Sequence, residues 1–120
     1  MTAVRVILVE DEPLVAMMME DLLTDLGCEI AASFGALEAA LAWLAAQETP
    51  PDGALLDVNL GGGETVFPLA QRLREQGVPF AFATGYSTLP SGDYPEAPLL
   101  RKPVSHEALR PLVAAFKAAA

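Results

Sequence analysis

The chain has 120 residues, enough for one domain that buries its own core. Apolar residues make up 52% of it and charged ones 19%, a globular composition and not a disordered one. A net charge of −9, with seven basic residues that form no run or stripe, argues against a nucleic-acid backbone or an anionic membrane as partner. Cys28 is the only cysteine, so no internal disulfide can form and the thiol reads as a small buried apolar group. No stretch reaches membrane-spanning length, and the short apolar run at Val6 to Val9 meets Glu10-Asp11-Glu12 at once, which makes a cytoplasmic protein the expectation.

Val4 to Val9 is β-branched and nearly continuous, as a buried strand is. Glu10-Asp11-Glu12-Pro13 then turns the chain, with Pro13 suited to a first helical position. Leu14, Met18 and Leu22, with Val15, Met19, Leu23 and Leu26 alongside, recur at helical spacing until Gly27. Cys28 to Phe34, between Gly27 and Gly35, is a second strand. Leu37, Leu41 and Leu44 mark a second helix that Pro50-Pro51 cannot continue. Ala54 to Asp57 is a third strand, an apolar run ending in a lone acid ahead of Gly61-Gly62-Gly63. Val66, Leu69, Ala70 and Leu73 give a third helix closing at Gly77, with Pro68 tolerable only in its first turn. Phe80 to Thr84 is a fourth strand.

Residues 85–97 hold two glycines and two prolines, so a loop with at most one helical turn is expected there. Leu99 and Leu100 form a short fifth strand ending at Arg101-Lys102-Pro103, and Leu109, Leu112, Val113 and Phe116 define a last helix with Ser105 as its cap. Strand and helix alternate five times with short links, which implies a parallel sheet covered on both faces by right-handed crossovers.

Glu10, Asp11, Asp57, Thr84 and Lys102 all follow or end strands, so they fall on one edge of that sheet, where ligands bind in open α/β folds. If the first and third strands are neighbours, three carboxylates converge, and they cannot all stay ionised cheaply without a cation. Oxygen ligands with no histidine nearby suit Mg²⁺ better than zinc, and the Asn59 backbone carbonyl could complete the shell. A carboxylate beside a metal, with a lysine and a threonine opposite, is what phosphoryl transfer to an aspartate requires. Taken singly, each of these residues has an ordinary reading: acids at a helix start, an acid in a turn, a solvated lysine. Their joint placement at the ends of four strands favours the chemical one.

Leu8-Val9-Glu10-Asp11-Glu12, Leu55-Leu56-Asp57-Val58-Asn59-Leu60, Phe82-Ala83-Thr84-Gly85-Tyr86 and Lys102-Pro103, at these spacings, resemble a response-regulator receiver (CheY-like) domain over the whole length, residues 1–120. The resemblance implies a flavodoxin-like doubly wound five-stranded parallel sheet of order 2-1-3-4-5, here with a shortened or missing fourth helix. It also implies Mg²⁺ on Glu10, Asp11 and Asp57, Asp57 as phosphoacceptor, and Thr84 and Lys102 on the phosphoryl group, with a cis peptide before Pro103. The run from Val78 to Tyr86 is similar to a subgroup of stand-alone bacterial receivers with a Phe-Ala-Thr-Gly-Tyr motif, whose partners are histidine kinases of the HWE or related type, or phosphotransfer proteins.

The switch positions are then Thr84, Tyr86 and Leu99. Leu99 stands where most receivers carry Tyr or Phe, so coupling would run through segment 85–97, with phosphorylation drawing Thr84 inward and ordering that segment. Tyr86 is expected to shield phospho-Asp57 from water. The chain is expected to be a phosphoacceptor that assists its own phosphorylation and dephosphorylation, not an enzyme, as a monomer or weak dimer acting as switch, sink or shuttle. With no output domain after residue 120, the output is expected to be a protein contact or phosphate flow. Two other classes compete: an unphosphorylated pseudo-receiver that only binds, and a small Asp-nucleophile phosphatase, which would turn over a phosphate ester. His106 reads as solvated, and Met17, Met18 and Met19 as helix packing.

Overall fold

A computed structural model describes residues 3–61, 64–85 and 94–120. Five parallel strands, β1 (Val4–Val9), β2 (Cys28–Phe34), β3 (Gly53–Asp57), β4 (Phe80–Thr84) and β5 (Leu99–Arg101), form one sheet in the order β2-β1-β3-β4-β5. Four helices connect and cover them: α1 (Pro13–Asp25), α2 (Leu37–Ala46), α3 (Phe67–Glu75) and α4 (His106–Ala119). This is the doubly wound, flavodoxin-like sheet read from the sequence. Among the described residues no helix lies between β4 and β5; residues 86–93, Tyr86 among them, are outside those described.

The sheet has a core on each face, which is why its central strands are almost continuously apolar. Ile7, Val9, Leu56, Phe80 and Phe82 pack against Leu44, Leu69 and Leu73 on the side of α2 and α3. Val6, Leu8, Leu55 and Ala81 pack against Leu23, Leu109 and Phe116 on the side of α1 and α4. Gly53 opens β3 under α4, and a Cβ there would run into the Phe116 ring. The glycine is a packing requirement at a point where helix and strand touch.

Helix ends follow local chemistry. Pro13 and Pro68 lie in the first turns of α1 and α3, where a missing N–H costs nothing. Gly27 and Gly77 close the same two helices with φ of +89° and +72°. Ser105 Oγ accepts a hydrogen bond from Ala108 N at 3.2 Å and starts α4, which runs on through Pro111. The residue before α2, Ala36, has no capping side chain, and Glu64 from the β3–α3 loop supplies one, its Oε1 accepting from Leu37 N at 3.2 Å.

The apolar rows of α1 are not distributed as periodicity suggested. Ala16, Met19 and Leu23 are buried, whereas Leu14, Met17 and Met18 are 75%, 60% and 55% exposed. The helix carries apolar residues on more than one face, and its small Ala16 lets it approach the sheet from the side opposite Leu14 and Met18. Trp43 is half-buried and tilts against Phe34 of the edge strand β2, with centroids 5.9 Å apart. Cys28 is buried, as expected, and burial pushes its thiol pKa up against the opposing pull of Lys117. His106 is less solvated than its sequence context implied, since its Nε2 lies 3.0 Å from Asp25 Oδ2 at the end of α1.

Candidate phosphoacceptor site

Three strands deliver the site. β1 ends at Val9, so Glu10 and Asp11 sit just past its C-terminal end. β1 and β3 are neighbours in the sheet, in register from Val6 and Gly53 to Val9 and Leu56, and the next residue of β3 is Asp57. Beyond β4 the backbone N–H of Lys102 donates to the Thr84 carbonyl at 2.9 Å, which holds the lysine beside the end of that strand. The Lys102–Pro103 peptide is cis.

Glu10, Asp11 and Asp57 can each place a carboxylate oxygen within 4.8 Å of the others. Glu10, Asp57 and Thr84 are buried and Asp11 is exposed. Lys102 Nζ reaches over the cluster, 2.7 Å from Glu10 Oε1 and 3.3 Å from Asp57 Oδ1. Glu10 Oε2 accepts from Glu12 N at 3.1 Å. Its Oε1 is sealed from solvent and has no aligned hydrogen-bond donor among the described residues, the ammonium being close but off the hydrogen-bonding direction.

Burial, then the Glu10 charge and the contact with Asp11, push the Asp57 carboxyl up from 3.8 to about 7, with Lys102 pulling the other way. Burial would lower the Lys102 ammonium, but Glu10 and Asp57 outweigh it and hold the lysine above its ordinary value. The lysine therefore keeps its proton. One cation does not balance three carboxylates, so the site carries an excess of negative charge. The donor set is all oxygen, open to solvent on the Asp11 side, and suits a hard divalent ion such as Mg²⁺.

The loop after Asp57 is fastened back to the sheet. Val66 N donates to the Val58 carbonyl at 3.1 Å, Leu60 N to the Glu64 carbonyl at 3.0 Å, and Asn59 pairs with Thr65. Asn59 is exposed. Gly61 turns with φ +82°, and a Cβ there would stand 3.4 Å from Asp11 Oδ2, so the loop closes against the exposed acid. Leu99 is half-buried and packs on the α2/α3-side core.

One aromatic residue that the sequence did not single out lies on this side of the sheet. Tyr94 is buried, its ring stacked on Phe67 at 5.6 Å and edge-on to Phe80 and Phe82. A second tyrosine, after Tyr86, in a stretch otherwise rich in Gly, Pro and Ser was the only signal available.

Parallel sheet, acid cluster and lysine define a receiver-type α/β domain. Residues 6–94 match the family model for the response regulator receiver domain, and the chain belongs to that family. No curated protein matches it. Among solved structures, SdrG from Sphingomonas melonis Fr1 is 36% identical, over 98% of this chain and 99% of its own, with a TM-score of 0.82. The PhyR response regulator REC domain from Erythrobacter litoralis is 30% identical over 97% of this chain and 91% of its own, with a TM-score of 0.81. SdrG from Pseudomonas melonis Fr1 in its BeF3-activated conformation is 37% identical over 97% and 98%, with a TM-score of 0.77. Among the described residues, no helix is long and apolar enough to cross a membrane.

Proposed function

We propose that this receiver domain is a phosphoacceptor in a two-component relay, taking a phosphoryl group from the phosphohistidine of a histidine kinase or phosphotransfer protein onto Asp57. The observation that carries this is the buried Asp57 carboxylate at the end of β3, with Lys102 Nζ 3.3 Å from it and Glu10 and Asp11 within metal-sharing distance. An Asp57 oxygen attacks phosphorus, the O–P bond of an acyl phosphate forms, the N–P bond breaks, and the imidazole leaves with its electron pair.

Glu10, Asp11, Asp57 and the Asn59 carbonyl would hold Mg²⁺, which when bound neutralises charge on the phosphoryl oxygens. Lys102, fully protonated, supplies a second positive charge and shifts from pairing with the carboxylates to pairing with the incoming oxygens. The Thr84 hydroxyl, on the neighbouring strand end, donates to the same group. Burial keeps bulk water from the phosphoryl site, and Asp11 marks the exposed side through which the donor arrives. That SdrG, a relative of 37% identity, has a BeF3-activated conformation supports this reading.

The test is intact mass after incubation with Mg²⁺ and acetyl phosphate. One added phosphoryl group in the wild type, absent in Asp57→Asn and in EDTA, is the expected result. No adduct from acetyl phosphate, together with no binding of Mg²⁺ or beryllofluoride, would overturn it in favour of a receiver that only binds.

A further inference from the structure

Tyr94 is held by more contacts than its place next to β5 requires. Its ring lies parallel to that of Phe67, 6° between planes, and meets Phe80 and Phe82 at 5.9 and 5.7 Å. Its hydroxyl donates to the Phe67 carbonyl at 3.3 Å. On the outer side the Arg74 guanidinium covers the ring, 4.3 Å from its centroid. The same guanidinium binds Glu96 with two hydrogen bonds, Nε to Oε2 at 2.8 Å and Nη2 to Oε1 at 2.9 Å. Arg74 thus clamps the chain on both sides of Pro95 onto α3.

The clamp joins two strands of the site. Phe80, Phe82 and Thr84 alternate along β4 and share one face, so the rings against Phe80 and Phe82 belong to the row that ends in the threonine. Phe67 follows Val66, whose N–H is bonded to the carbonyl of Val58, the residue after Asp57. Pro98, four residues past Tyr94, accepts from Phe82 N at 2.9 Å and opens β5. Leu99, in register with Phe82, fills the same face without an aromatic ring of its own. Tyr94 therefore adds to the Phe80 and Phe82 rings on the threonine's face a ring from outside the strands, and Arg74 covers that ring.

We infer that Tyr94, gripped by Arg74 and Glu96, is a tether that resists movement of Thr84 and loosens as the phosphoryl group is taken at Asp57. The inference rests on the phosphoacceptor reading above. Because binding and conformation are coupled reciprocally, weakening the tether must tighten the binding of anything that draws Thr84 toward Asp57.

The experiment is titration of the full chain with beryllofluoride at fixed Mg²⁺, followed by ¹⁵N NMR, for wild type, Arg74→Gln and Arg72→Gln. Arg72 is also exposed on α3, pairs with Glu75 at 3.8 Å, and controls for the lost charge. Losing the cation–π contact and the fork to Glu96 should tighten Arg74→Gln about fivefold, leaving Arg72→Gln at the wild-type value. Tyr94→Phe keeps the rings, removes only the hydroxyl bond and should move the same way by less. Arg74→Gln equal to or weaker than wild type, or Arg72→Gln shifted as far, would overturn the tether while leaving the phosphoacceptor intact. A wild type that does not bind beryllofluoride would remove both.

Discussion

Replacing Asp57 with asparagine should stabilise the metal-free protein, by an amount that grows as pH rises from about 4 to about 7. In the folded chain the carboxyl titrates at about 7, against 3.8 ordinarily, because it is buried beside Glu10. An acid whose folded pKa is raised binds more protons in the folded state, so stability falls as pH climbs from about 4 to about 7 and stays low above it. A difference of roughly three in pKa, at about 1.4 kcal/mol each, sets a ceiling of about 4 kcal/mol. Water at the rim screens part of this, which brings the expected cost to about 2 kcal/mol.

Asparagine has the shape of the acid and no charge. It escapes that cost, in which the opposing attraction of Lys102 is already included. In EDTA at pH 8, urea denaturation of Asp57→Asn should therefore show a gain of about 2 kcal/mol. At pH 5 the folded carboxyl is protonated while the unfolded one is already ionised, so the gain should be present but well below its pH 8 value. Mg²⁺ at a hundred times its dissociation constant would restore about 2.7 kcal/mol to the wild type and less to the variant. A variant destabilised at pH 8, or one whose difference from wild type is the same at both pH values, would refute the crowded-carboxylate account.

Two packing predictions need no ligand. Met18→Ser should change stability by less than about 0.5 kcal/mol, whereas Met19→Ala should cost about 2–3 kcal/mol, since the first side chain is 55% exposed and the second 3%; equal urea midpoints would mean that α1 is rotated. Gly53→Ala drives a methyl group into the Phe116 ring, and thermal unfolding should show a loss of about 1–3 kcal/mol, where an unchanged melting temperature would place α4 farther from β3.

The strands were legible because a buried parallel sheet writes itself as short apolar runs, and four of these runs end in the polar residues that meet at one edge. What was not legible depended on partners far along the chain. The rows Leu14, Met18, Leu22 and Ala16, Met19, Leu23 both recur at helical spacing, and periodicity alone does not say that Ala16, Met19 and Leu23 are the buried ones. Nothing in Glu10-Asp11 told which acid would be buried, yet the structure separates them sharply, one enclosed under Lys102 and the other open to solvent. Ala36 could not announce that α2 would borrow its cap from Glu64, 27 residues beyond Leu37.

Tyr94 shows why these gaps fall where they do. Its ring has meaning only through Phe67, Phe80 and Phe82, which come from two other elements and share no sequence period with it. Periodicity reports what an element does to its own core. A contact that joins α3 to the approach to β5 is made between elements, so no pattern within either one can encode it. Contacts of that kind are what a domain must use to carry a change at Asp57 to another surface. The part of the site that holds charge lies in short local motifs, and the part that would transmit it becomes visible only when the chain is folded.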